Sequence, residues 1–269
     1  MPVQPLELLY EPDGLPAFDL PHALAKLYPG TLGFDSPRVF ANFVETADGV
    51  VAIPSLPQSN KLIAGGSAAD RFVMGLLRAC ADAVLLGAGT LTASPGGLWS
   101  PEQAYPDAAA AYSELRAALG LTASPEIVIL TSSGALDPAH PLFEAGAVVL
   151  TTEVGRTLLG DRLPVATDVV SLGAGGALDP RAAVGALRAR GHRLLLHEGG
   201  PHVIGSWLAA GAVDDLFLTV SPLLTGRALL DPRLALVEGA DLLPGLQLRL
   251  DGVRRDTDHL FVRYAILQP

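Results

Sequence analysis

Cysteine is almost missing from this chain of 269 residues, where Cys80 stands alone. A disulfide framework and a thiolate metal cluster are therefore excluded. Charge is sparse, at 17% of residues, and basic charge is sparser still, with 18 Lys and Arg against 28 Asp and Glu. The formal net charge of -10 repels nucleic acid and anionic lipid, and no Lys/Arg run offsets it. A small anionic substrate would need a local positive site. No uncharged apolar run reaches ~18 residues, so no membrane span is expected. The opening MPVQPLELLYEPDG carries early prolines and acids and no basic segment, unlike a secretory signal. These absences together point to a cytoplasmic protein.

What the chain has in quantity is apolar material, 49% of residues, enough for a sizeable core. Residues 1–37 are rich in Pro, Gly and acids, with one short helical candidate, PHALAKLY, and read as an N-terminal arm. Residues 38–269 read as one domain. RVFANFV (38–44) is a β-rich run ending at an Asp-Gly turn signal. SAADRFVMGLLRACA (67–81) predicts a helix with an apolar stripe through Phe72, Val73, Leu76, Leu77 and Cys80. Ser67, with Asp70 three residues on, resembles a capping box. AVLLGAGT (83–90), EIVILT (126–131), AVVLTT (147–152) and RLLLHEGG (193–200) predict buried strands. Helices at 106–120, 179–191 and 201–211 open on proline and stop at glycine. DDLFLTV (214–220), LQLRLDGV (246–253) and HLFVRYAIL (259–267) predict strands following strands, and DDLFLTV and HLFVRYAIL read as an apolar sheet edge that needs covering. The pattern is that of an α/β sheet, mostly parallel, with an antiparallel C-terminal end.

Two stretches stand out for chemistry. HEGGPH (197–202) is not a zinc helix motif, because its histidines are five apart with Gly199, Gly200 and Pro201 between them. It reads either as a plain strand–helix turn or as a phosphate grip at a helix start. GAGT (87–90) also ends a buried strand and clears space at its carboxyl end, where α/β proteins bind ligands. Asp48 is either a turn residue or an acid that meets substrate. Glu198 ends an apolar strand and needs a partner or a function. Arg78 is either a surface residue with a packed stem or an anion ligand. Trp99 is either loop packing or a pocket wall. His22, His140, His192 and His259 form no pattern.

Three blocks, ANFVETADGVVA, SAADRFVMGLLRACADAVLLGAGTL and LLLHEGGPHVIGSWLAAGAVDDLFLTVSPLLTG, resemble the RibD C-terminal family, the reductase domain of riboflavin biosynthesis. The family is related in fold to dihydrofolate reductase, which implies a three-layer α/β architecture. The resemblance implies an oxidoreductase that uses NADPH to reduce a ribosylamino-pyrimidine phosphate, by hydride transfer to the opened ribose carbon. It assigns Gly87, Gly89 and Thr90, and Gly199, Gly200, Pro201 and His202, to the cofactor. Ser67 and Asp70 join the cofactor set, and Thr131 and Ser132 would meet its 2′-phosphate region. Asp48 and Glu198 become catalytic and substrate-binding, with Arg78 and Trp99 as further substrate contacts. In related folds the Gly-Gly peptide is cis, and if Gly199–Gly200 were cis here it would be a costly bond kept for function. No metal is implied, and the partners expected are a small-molecule substrate and a second copy in a homodimer. One departure is plain. The family's acidic, arginine-bearing loop after the GT is here LTASPGGLWSPEQAYP, without the acids and the arginine that grip the substrate phosphate. A pterin or dihydrofolate reductase and a non-catalytic NADP(H)-binding protein stay open as alternatives.

Overall fold

Short runs of Val, Ile and Leu become strands where both faces can be buried, and this decides the architecture. The structure, a computed structural model, describes residues 3–56, 58–227 and 230–267. The first half runs β1 (Glu7–Tyr10), α1 (His22–Leu27), β2 (Arg38–Thr46), α2 (Ser59–Ile63), α3 (Ala68–Cys80), β3 (Ala83–Gly87), α4 (Ala88–Ala93), α5 (Pro101–Ala104) and α6 (Ala109–Ala118). The second half runs β4 (Glu126–Thr131), α7 (Pro141–Ala145), β5 (Val148–Thr151), α8 (Glu153–Leu159), β6 (Asp168–Ser171), α9 (Pro180–Ala189), β7 (Leu194–His197), α10 (Pro201–Ala209), β8 (Asp215–Ser221), β9 (Gln247–Asp256) and β10 (His259–Leu267).

All ten strands form one sheet in the order β1-β9-β10-β8-β2-β7-β3-β4-β5-β6. From β8 through β6 the neighbours are parallel, whereas β8, β10, β9 and β1 pair antiparallel. Helices cover both faces, giving three layers. Alternate residues of β7 show why: Leu194 and Leu196 join the core under α3 and α6, while Leu195 joins Ile204 and Trp207 of α10. The expected caps form. The Ser67 hydroxyl accepts from the Asp70 N–H at 3.1 Å, and the Asp179 carboxylate accepts from the Arg181 N–H at 2.9 Å. Gly191, at φ +93°, ends its helix in the left-handed region that a side chain resists.

Two expectations change. DDLFLTV and HLFVRYAIL are not sheet edges. They are the interior strands β8 and β10, because the arm returns β1 to pair with β9 and become the edge itself. The other edge is β6, whose one exposed and three half-buried residues form too short a run to read.

Residues 3–34 pack into the main core through Leu6, Leu24, Leu32 and Phe34. Buried arginines of the antiparallel strands hold them there. Arg254 donates to the carbonyls of Pro29 (2.8 Å) and Thr31 (3.2 Å) and to Glu11 (2.5 Å), and it lies over the Tyr28 ring at 4.0 Å. Arg263 donates to the Gly33 carbonyl at 2.9 Å and sits 3.6 Å from the fully buried Asp215. Removing one member of a buried pair leaves a stranded charge, so Glu11→Ala is expected to cost about 3 kcal/mol in urea unfolding.

Candidate active site

The carboxyl ends of the parallel strands form one rim. Thr46 of β2 lies beside Ser221 of β8, and Gly87 of β3 beside Leu130 of β4. Polar groups collect here because the strands' interiors are apolar on both faces.

On the α10 face, two glycine-bearing turns meet. Gly87 caps α4 and Gly200 caps α10, both in extended conformation and neither with a side-chain cap. A Cβ on Gly87 would lie 2.9 Å from Val203, so only glycine fits there. A Cβ on Gly200 would meet only the Thr90 hydroxyl, at 3.9 Å, and one on Gly89 would meet nothing within 4 Å. Open backbone therefore faces open space at both turns, with Pro201 opening α10. His202 is exposed beside Gly239. The cis peptides are Ser36–Pro37 and Leu243–Pro244, so Gly199–Gly200 is not cis among the described residues. The extended Gly200 leads straight into the helix. His197 shapes this turn: its Nδ1 accepts from the Gly199 N–H at 3.3 Å, and its ring lies 5.1 Å from that of Trp207. Burial pushes its pKa down to about 3, so it is neutral.

On the α3 face, Glu198 and Arg78 form a bidentate ion pair with contacts of 2.6–3.2 Å. Both side chains are over nine-tenths buried, at 7% and 8% exposure. The surface alternative for Arg78 is thus overturned, and Glu198 occupies its charge. Arg116 reinforces the end of α3, donating to the carbonyls of Arg78 (3.1 Å), Ala79 (3.3 Å) and Ala81 (2.8 Å). Asp70 faces the same side. Burial holds its carboxyl above the usual range, against the pull of the Thr219 hydroxyl. It therefore stands apart from the glycine turns with which the resemblance grouped it. Ser67 serves its backbone as a cap.

Asp48 is a latch. It accepts from the Thr46 hydroxyl (2.5 Å) and from the N–H groups of Thr225 (3.3 Å) and Gly226 (2.7 Å). The Thr46 hydroxyl and those amides hold its carboxyl below the usual range. The segment after β8 is thereby tied down, and it continues to Glu238, whose N–H donates to the Pro201 carbonyl at 3.3 Å.

The remaining expected residues lie outside this cleft or are internally engaged. Trp99 is 6% exposed in the core and stacks on His140 at 6.0 Å, so it is not a pocket wall. The Thr131 hydroxyl accepts from Gly134 N–H (3.1 Å) and that of Ser132 from Leu178 N–H (3.2 Å). An open groove of about 560 Å³ lies at β1, with Tyr10 and Thr31 in its wall and none of the rim residues. Sequence reasoning missed Thr219, Ser221 and His259. The available signal was the alternation Phe217, Thr219, Ser221, which puts two hydroxyls on the core face of a buried strand.

The RibD C-terminal domain family model matches residues 37–262, and the chain belongs to that family. A pyrimidine reductase-like protein from Corynebacterium diphtheriae aligns over 93% of this chain and 96% of its own, at 22% identity and TM-score 0.69. RibD of Acinetobacter baumannii aligns at 20% identity and TM-score 0.64 over 87% of this chain, which spans only 59% of that one. The riboflavin biosynthesis reductase Rib7 of Saccharomyces cerevisiae aligns at 15% identity and TM-score 0.56, over 92% and 95%. The fold is thus the α/β fold of these reductase structures. No curated protein matches in sequence. No helix among the described residues is long and apolar enough to cross a membrane.

Two outcomes follow from this geometry. Glu198→Gln should destabilise the protein by about 3 kcal/mol in urea, because it strands the Arg78 charge. Asp48→Asn should speed hydrogen–deuterium exchange at Thr225 and Gly226. Because the folded carboxyl is held below its usual range, the latch is complete at neutral pH and weakens only as pH falls through that lowered value.

Proposed function

We propose that this protein is an NADPH-dependent reductase of a ribosylamino-pyrimidine phosphate. The single observation that carries the reading is the meeting of two open glycine turns, Gly87–Thr90 and Gly199–Pro201, beside a buried carboxylate–arginine pair on one sheet rim. Bare backbone at strand ends and the uncapped start of α10 suit a pyrophosphate. These residues fit the cofactor because the space beside Gly89 and Gly200 is the space a Cβ would fill. When bound, NADPH supplies hydride. The chain's own part is to bind, orient and set the electrostatics.

Glu198 is fixed by Arg78 on the substrate side of the rim. Asp48 keeps the segment after β8 closed over the rim. Thr131 and Ser132 lie at the end of β4, where a 2′-phosphate would reach loop N–H groups rather than free hydroxyls. A homodimer is part of this reading, with the exposed Leu248, Leu260 and Leu267 of β9 and β10 as apolar surface for it.

Calorimetric titration with NADPH and NADH is the direct test, followed by loss of NADPH absorbance with a ribosylamino-pyrimidine phosphate. Gly200→Ala is expected to weaken NADPH binding at least tenfold while leaving the unfolding midpoint unchanged, since its φ of -66° suits alanine. Tight NADPH binding by the variant would sink the placement.

A further inference from the structure

The two buried arginines of the antiparallel strands differ in how they are satisfied. Arg254 places its Nε and Nη2 on acceptors of the N-terminal segment. Arg263, 4% exposed, uses only Nη2, which donates to the Gly33 carbonyl at 2.9 Å and faces Asp215 Oδ1 at 3.6 Å. Its Nε and Nη1 are buried and meet no acceptor among the described residues. The rings of Phe34 and Phe217 lie 5.2 and 5.4 Å from the guanidinium carbon and hold it in place without supplying one. A buried N–H of a charged group left without an acceptor is a costly defect in a core.

The sheet register shows what lies beside these nitrogens. Asn42 of β2, Phe217 of β8 and Arg263 of β10 are direct partners across three neighbouring strands, so their side chains leave one face of the sheet in a row. That face is the one under α3, because Phe217 shares its core with Phe72 and Val73. Thr219, two residues on along β8, points the same way. Asn42, Thr219 and Arg263 line a cavity of about 10 Å³, together with Tyr28 of the N-terminal segment and Val73 of α3. The side chains of Asn42, Thr219 and Tyr28 each carry an oxygen able to accept a hydrogen bond. Arg263 reaches none of them directly. The cavity thus stands between two donors and their nearest acceptors, and its volume is on the scale of one water.

We propose that this cavity is the binding site of a single buried water, which accepts from Arg263 and donates to the side-chain oxygens of Asn42 and Thr219. Charge decides for water over an anion. The fully buried Asp215 already stands opposite Arg263, and Arg38, which shares that carboxylate at 2.7 Å, is 30% exposed. The guanidinium therefore needs acceptors rather than a further negative charge. The water joins three parts of the molecule. Arg263 holds the N-terminal segment through Gly33, while Asn42 and Thr219 belong to the strands that end at Thr46 and Ser221 on the rim. The proposal is independent of the reductase reading.

A crystal structure of the full chain, at a resolution that shows ordered water, is the direct test. It should place one water within hydrogen-bond distance of Arg263 Nε or Nη1. A cavity without density overturns the proposal, as does an anomalous peak there in crystals grown with bromide, which would assign the site to an anion. Val73→Ile gives a second readout whose sign separates a wet site from a dry one. Filling a dry void adds contacts and raises the urea midpoint, whereas displacing a water that serves Arg263 strands its donors and lowers it. A lower midpoint, with the water gone from the crystal structure of the variant, upholds the proposal; a higher midpoint overturns it. Thr219→Val keeps the shape of the side chain and removes the hydroxyl, so the occupancy of the water should fall. Unchanged occupancy overturns Thr219 as an acceptor.

Discussion

The whole molecule follows from one constraint: the central parallel strands are buried on both faces. Val, Ile and Leu fill most of β3, β4, β5 and β7, so a polar side chain along their length would need a partner. Polar groups are pushed to the strand ends, and in a parallel sheet the carboxyl ends all lie on one side. Thr46, Gly87, Thr131, Glu198 and Ser221 converge there for that reason rather than through any local signal. The rim is thus a consequence of how the core is built.

The antiparallel end obeys the opposite rule. Strands β9 and β10 carry buried arginines, and these are satisfied by main-chain carbonyls of the N-terminal segment as much as by carboxylates. A segment rich in Pro and Gly, with little helical or strand content of its own, suits this role because its carbonyls are free to accept. Arg116 does the same at the end of α3, where it holds three carbonyls and, through them, the stretch of helix that carries Arg78. Guanidinium groups here organise backbone, and the ion pairs are the lesser part of their work.

On the rim itself, the two faces of the sheet separate two kinds of recognition. The α10 face offers bare glycine backbone and a neutral His197 behind it. The rim also carries carboxyl groups in three settings: Asp48 held by a hydroxyl and two amides, Glu198 buried against Arg78, and Asp70 half-buried at the start of α3. The carboxyls of Asp48 and Asp70 are thereby moved in opposite directions, the first down by its donors and the second up by burial.

Much of this was legible in the residues. The apolar runs, the proline-in, glycine-out helices, the caps at Ser67 and Asp179, and the two glycine turns are local features, and local sterics and hydrogen bonding decide them. The mostly parallel sheet and its antiparallel end follow from the order of elements. Strand order was beyond reach, because pairing β1 with β9 joins segments more than 240 residues apart. So was the fate of each charge. Nothing around Arg78 in the sequence shows that Glu198 meets it, nor around Asp48 that Thr225 and Gly226 do. Trp99 looked like a ligand contact in its own loop and is a core residue only because His140 comes to meet it. Sequence by itself determined the elements and the glycine-lined rim, since those depend on neighbours along the chain. Tertiary structure alone decided which carboxyl is paired, which is latched and which is left beside a hydroxyl, since burial and partners come from distant segments.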